Sequence, residues 1–280
     1  MPLLELSRVS RTFTTPITRR RVVAVDGLSF AVDSGEVLGL VGPNGSGKTT
    51  ALRCALGLLR PSSGDVRVFG APWSSSARSA TGFAPERFSL DGRRTGREVL
   101  VLLARLAGFS RFEAATRAAR ALERFGLADA ADRKIAEYSK GMNRRVAIAA
   151  SLLKDPRLLV LDEPFDGLDP LGNLLVRDEI LARAREGVAV VVTSHAMHDL
   201  EAVASHLVIL ERGKELAAGT VDSVLGAAAV TRLVVRGGDA ASLARWRAAI
   251  EKDGGQIVAQ RPERETLEDF FRRRFGSGGS

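Results

Sequence analysis

Residues 42–49 read GPNGSGKT, and what flanks them matters as much as the eight residues themselves. The stretch sets a glycine, four residues, a second glycine, a lysine and a threonine at the spacing of a phosphate-binding loop. Just upstream, EVLGLVG is nearly continuous apolar sequence, the pattern of a strand buried on both faces, and KTTALRCALGLL downstream has helical character. A strand, a glycine turn and a helix in that order turn successive N–H groups toward one point and add the positive end of the helix to them. Gly42, Pro43, Asn44, Gly45, Ser46, Gly47, Lys48, Thr49 and Thr50 are therefore the candidate phosphate site. Lys48 is expected to reach the β and γ phosphates of a nucleotide, and the Thr49 hydroxyl to ligate Mg²⁺.

Such a loop needs an acidic partner for its metal. LLVLDEP at 158–164 supplies one at the end of an apolar strand, where Asp162 is expected in the Mg²⁺ shell. Glu163, one residue further, is placed to orient or deprotonate a water. His195 in VVVTSHAMHDLE follows another apolar strand. A lone histidine is more often a hydrogen-bonded structural residue, but a parallel sheet brings the carboxyl ends of its strands to one edge, so Lys48, Asp162, Glu163 and His195 are expected to converge. His198 and His206 have no comparable placement, and a His195/His198 pair lacks further metal ligands.

The remaining composition sets bounds. A chain of 280 residues with 45% hydrophobic content is long enough for one large domain and an appendage. No stretch approaches the ~18 consecutive apolar residues of a bilayer span, and Glu5 and Arg8 interrupt the start before a signal-type region develops. Folding in the cytosol is expected, and the single Cys54 excludes an internal disulfide framework. The net charge of +8 fits a nucleic acid, an anionic membrane surface, or merely an arginine-rich exterior.

Short β-type runs open the chain, at LLELSRVSRTF and VVAVDGLSFAV, and VRVFG and TGFAP follow the first helix. From about 95 to 154 three helical segments follow one another, each ending near Gly or Asp-Pro. After these, strands and helices alternate from RLLVLDE to HLVILER, which predicts a mostly parallel sheet covered on both faces. A composition shift near residue 230 predicts a small strand, helix and strand unit in which Leu243, Trp246 and Ile250 have core spacing. FFRRR at 270–274 is either a lipid-facing or a solvated basic helix end. The expected fold is α/β: a P-loop NTPase core with a mixed, mostly parallel sheet, an N-terminal antiparallel β subdomain, an inserted helical subdomain and a small C-terminal α/β appendage. The expected boundaries are 1–228 for the core, with the helical subdomain at about 86–155, then 229–275 for the appendage and 276–280 for a flexible tail.

Read alone, EYSKGMNRRVAIAA at 137–150 is a capped helix with no chemistry of its own. With the other motifs placed, the chain resembles the ATP-binding subunits of ABC transporters, in the style of those serving multidrug, antibiotic or sodium exporters, over about residues 3–225. YSKGM stands where that family carries its Leu-Ser-Gly-Gly-Gln signature. The resemblance implies an ATPase that uses ATP and Mg²⁺, with Glu163, His195 and Lys48 catalytic. It further implies a head-to-tail pair with a second ATP-binding subunit, as a homodimer or heterodimer, in which Ser139 and Gly141 cover the γ phosphate held by the partner's loop. FDGLD, ending in Asp169, resembles the loop that crosses that seam beside the partner's site. Phe13 resembles the aromatic stacked on adenine, with a strand-core phenylalanine as the alternative.

Three positions depart from the family pattern. Glu86 replaces the glutamine that touches Mg²⁺, and Lys140 and Met142 replace Gly and Gln of the signature. Lys140 either adds charge near the γ phosphate or is simply exposed. The implied partner is a separate transmembrane permease subunit docking near Glu86, Phe88 and Leu90, with the chain at the cytoplasmic face of the membrane and no nucleic acid expected. The alternative is a soluble ABC ATPase acting on ribosomes or DNA, although a second cassette, a long coiled coil and zinc-binding cysteines are missing. A GTPase switch would need an Asn-Lys-x-Asp motif, which is absent.

Overall fold

The computed structural model describes residues 1–14, 19, 21–226 and 240–252. β1 (Leu4–Thr14) and β2 (Arg21–Val32) pair antiparallel, with Leu4 opposite Val32 and Thr14 opposite Arg21. β3 (Val37–Val41) is buried at every position and leads through the glycine loop into α1 (Lys48–Ala55). Next come β4 (Ser63–Val68), β5 (Ala71–Pro72), α2 (Ser75–Ser79) and β6 (Thr81–Ala84).

Three helices follow: α3 (Gly96–Leu106), α4 (Arg111–Arg124) and α5 (Lys140–Leu152). Capping boxes start the first two, Thr95 with Glu98 and Ser110 with Glu113, each cap contributing about 1 kcal/mol. Gly96 is required where it stands, because a Cβ there would lie 2.3 Å from the Tyr138 hydroxyl. That hydroxyl donates to the Ala130 carbonyl at 2.6 Å, so Tyr138 pins the start of α5 to the helices before it.

The β/α alternation then resumes with β7 (Leu158–Asp162), α6 (Pro170–Arg185), β8 (Ala189–Ser194), α7 (Met197–Glu201), β9 (His206–Glu211), β10 (Lys214–Thr220) and α8 (Val221–Leu225). α7 is shorter than the AMHDLEAVA pattern suggests. β10 has a weak apolar pattern because it is an exposed, antiparallel edge strand.

Two sheets result. One is antiparallel in the order β2-β1-β4-β5; the other runs β10-β9-β3-β8-β7-β6 and is parallel except at β10. β3, β7 and β8 are wholly buried, which is why they read as unbroken apolar runs. Their register puts Val41 beside Ser194 and Asp162 beside Thr193, so three strand ends share one edge.

The chain divides into two compact units, Met1–Leu225 and Gly226–Ser280. In the second, α9 (Ala240–Lys252) is described, with Leu243 40% and Trp246 39% exposed. The strands expected on either side of α9, FFRRR and the tail at 276–280 lie outside the described residues. Among the described residues no helix is long and apolar enough to cross a membrane.

Candidate functional site

The glycine loop is shaped by close backbone approaches. A Cβ on Gly42 would fall 2.3 Å from the Leu210 carbonyl, and Gly47 combines a φ of 109° with a Cβ position 2.3 Å from the Ala24 carbonyl. The loop closes through Ser46 N–H donating to the Pro43 carbonyl (3.1 Å) and Gly213 N–H donating to that of Ser46 (2.8 Å). No side chain caps α1 and its first turn carries no acid, so its positive end is uncompensated. The Ser46 hydroxyl is buried without a partner. Free helix amides and an orphaned hydroxyl suit an anionic phosphate chain. Pro43, Asn44 and Gly45 form the exposed lip, and Thr50 sits half-buried in the first turn of α1.

Lys48 is 5% exposed. Its ammonium donates to the Gly42 carbonyl at 2.6 Å and lies 3.4 Å from Glu163 Oε1. The other oxygen of Glu163 is 2.9 Å from His195 Nδ1 and accepts from the His195 backbone N–H at 3.3 Å. Beside this chain, the Thr49 hydroxyl donates to Asp162 Oδ2 (3.2 Å), and Asp162 Oδ1 accepts from Thr193 Oγ1 (2.7 Å). The same Thr193 oxygen accepts from the Glu163 N–H at 2.9 Å. Lys48, Thr49, Asp162, Glu163 and His195 therefore meet at the shared strand edge. The arrangement can hold an anion at Lys48, offer two hard oxygens to a cation, and present a carboxylate backed by an imidazole.

Thr193 was not singled out from sequence. The available signal is a hydroxyl in the otherwise apolar run VAVVV, fully buried and level with Asp162. Arg144 was also missed. It is a buried residue of α5 whose guanidinium donates to the carbonyls of Pro85 (2.5 Å), Asp162 and Pro164 (3.4 Å).

Other candidates stand apart from this cluster. Ser139 is exposed and N-caps α5, its oxygen accepting from Met142 N–H at 3.1 Å. Gly141 packs on the loop between β7 and α6, with Gly167 O 3.0 Å from where its Cβ would be, and Asp169 N-caps α6 by accepting from Gly172 N–H. Among the described residues no hydrogen bond or ion pair joins Ser139, Gly141 or Asp169 to residues 42–50. Glu86 is exposed, and its carboxylate makes no hydrogen bond or ion pair among the described residues. Lys140, 70% exposed, pairs with Asp166 of its own chain at 2.8 Å. Phe13 is 38% exposed near the end of β1 rather than in a core, with the Arg11 guanidinium 4.8 Å above its ring.

Comparison with known proteins gives one consistent answer. The ABC transporter family profile matches residues 25–166. The daunorubicin/doxorubicin resistance ATP-binding protein DrrA of Streptomyces peucetius is 39% identical over 238 residues, covering 84% of this chain and 72% of the relative. The Nod factor export ATP-binding protein I of Burkholderia orbicola is 39% identical over 206 residues, 72% of this chain and 68% of the relative. Among solved structures, an ATP binding subunit of an ABC transporter matches with a TM-score of 0.69 at 30% identity, over 79% of this chain and 91% of the other.

Proposed function

The chain belongs to the ABC transporter family as its ATP-hydrolysing subunit, and from that premise we propose that it dimerises around two ATP molecules and drives a separate transmembrane permease, as an exporter. The observation that carries this reading is the separation of two half-sites. Lys48, Thr49, Asp162, Glu163 and His195 form one bonded cluster, while Ser139 and Gly141 begin an exposed helix that meets none of them. A second copy turned head to tail brings the start of α5 over the first copy's loop. There the Ser139 hydroxyl, whose oxygen caps α5, still has its hydrogen free to donate to a phosphate oxygen.

Within each half, Lys48 binds the β and γ phosphates and Glu163 orients or deprotonates the attacking water. His195 steadies that carboxylate and faces the γ phosphate. Phe13 offers its exposed ring to adenine. Thr49 and Asp162 fit Mg²⁺, a hard cation satisfied by few protein oxygens when phosphates and waters complete its shell. Bound there, Mg²⁺ would neutralise charge on the phosphates. Glu86 is proposed as a further oxygen donor, one that must move to reach that pair. Asp169 is assigned to the seam between copies.

Residues 1–228 are taken as the cassette, with about 86–155 as the helical subdomain that meets the permease beside Phe88 and Leu90, and 229–275 as an appendage. The name of the Nod factor export protein supports export as the direction, and the proposed permease partner puts the chain at the cytoplasmic face of the membrane. The test is Glu163→Gln in the purified full chain. This variant should bind ATP, run as a dimer by light scattering, and stop hydrolysing. Hydrolysis at the normal rate would remove Glu163 as the base, and an ATP-loaded monomer would remove the sandwich.

A further inference from the structure

Glu163 occupies an unusual backbone position. Its φ is +54°, in the left-handed region that non-glycine residues avoid, and it precedes Pro164, which restricts it further. Such a conformation persists only where its surroundings over-determine it. Thr193 of β8 fixes the Glu163 N–H at 2.9 Å, and a second side chain acts on the peptides around it from α5. Arg144 Nη2 donates to the carbonyl of Asp162 and Nε to that of Pro164 at 3.4 Å, so the guanidinium holds the carbonyls of the residues on either side of Glu163. Its third nitrogen, Nη1, donates to Pro85 O at 2.5 Å and to Glu86 O at 3.4 Å, in the loop after β6.

Arg144 is 6% exposed and has no ion-pair partner among the described residues; all its acceptors are backbone carbonyls. Burial pushes the guanidinium down from its ordinary range, opposed at longer range by Asp162, Asp166, Glu163 and Glu86. A buried cation without a carboxylate partner is costly, and packing alone would be better served by an apolar side chain. Arginine is the one side chain with three nitrogens fixed in a plane, able to hold carbonyls in three directions at once.

We propose that Arg144 is a positioning residue that holds the Glu163 backbone in its left-handed conformation and ties it to the Glu86 loop and to α5. Rigid α5 carries Ser139 and Gly141 at its start and Arg144 one turn later. A shift of α5 on meeting a second copy, or of the Glu86 loop on meeting a partner, therefore reaches the carboxylate through one side chain. The inference rests on Glu163 being the group that activates water.

The test uses the full chain carrying Arg144→Lys, which keeps the charge and removes the fork. Turnover should fall about 10- to 100-fold with the KM for ATP within about twofold, because misplacement rather than binding is affected. Hydrogen exchange should rise together at the amides of Glu86, Arg87, Asp162, Glu163 and Phe165 while exchange over 42–50 stays unchanged. Arg144→Met, which fills much of the volume without donors, should show the same pattern more strongly. Unchanged turnover in Arg144→Lys would overturn the proposal, and so would a loss of ATP binding with protection lost throughout, which marks a purely structural arginine. Failure of the Glu163 assignment is separable: Glu163→Gln would then turn over normally, while the paired exchange change at those amides would still report the clamp.

Discussion

Lys48 and Glu163 have a tenth or less of their side chains exposed and are bonded to each other and to their neighbours, whereas Ser139 and Lys140 stand in the open at the start of α5. The first region is a finished piece of machinery with its partners in the same chain. The second is well built as a helix start, with Ser139 as its cap and Tyr138 as its anchor, yet bonds to none of that machinery. In the proposed sandwich, this difference would separate holding the nucleotide, within one copy, from completing the site, between two.

Mutations at the two ends should therefore fail in different ways. The largest effect is expected from Lys48→Ala. Loss of its charge-assisted bonds to the phosphates amounts to about 3 kcal/mol, or about 100-fold in ATP affinity, measured by titration with a fluorescent nucleotide. Ser139→Arg should leave that affinity unchanged but lower turnover about 100-fold and abolish the ATP-dependent dimer in light scattering. If instead it weakened ATP binding in the monomer, the two regions would not be separate.

Tyr138→Phe sharpens the comparison from the stability side. It leaves the buried Ala130 carbonyl without its donor, which costs about 1 to 3 kcal/mol in denaturant unfolding at neutral pH. Burial also raises the Tyr138 phenol above its ordinary value of 10.0, with Arg133 acting in the opposite direction. A raised folded value means that its contribution is fully present below pH 10.0 and is lost as pH rises through the folded value. Melts should show an alkaline loss of stability that is smaller in Tyr138→Phe. The smallest effect is expected from Lys140→Ala. An ion pair this exposed is worth less than about 1 kcal/mol, and turnover should change less than about threefold. A tenfold loss of turnover would show instead that Lys140 leaves Asp166 to serve the partner's phosphate.

How much of this could be read from the chain depends on the distance over which each feature is encoded. The glycine loop is legible because its residue spacing and the positive φ of Gly45 and Gly47 are local, although the carbonyls that exclude a Cβ at Gly42 and Gly47, Leu210 O and Ala24 O, lie outside it. Asp162, Glu163 and His195 are legible at one remove, since wholly buried parallel strands must end at a common edge. Thr193 and Arg144 were not. One is a hydroxyl in an apolar strand, and the other is an arginine beside a second arginine on a helix. Nothing in either local pattern indicates that their partners lie 31 and 18 residues away. Lys140 left two readings open, and the structure adds a third, a pair with Asp166 across 26 residues.

Periodicity and glycine spacing were enough to specify the order of the main elements, the mostly parallel sheet and the strand that carries the acids, because burial and backbone sterics act residue by residue; β5, α2, β10 and α8 were not read from them. Tertiary structure decided which donor each buried acceptor received, that Phe13 lies exposed rather than in a core, and that Glu163 is held in a left-handed backbone by an arginine from α5. Hydrogen bonds are short and directional, so those pairings exist only after packing has brought distant segments within about 3 Å.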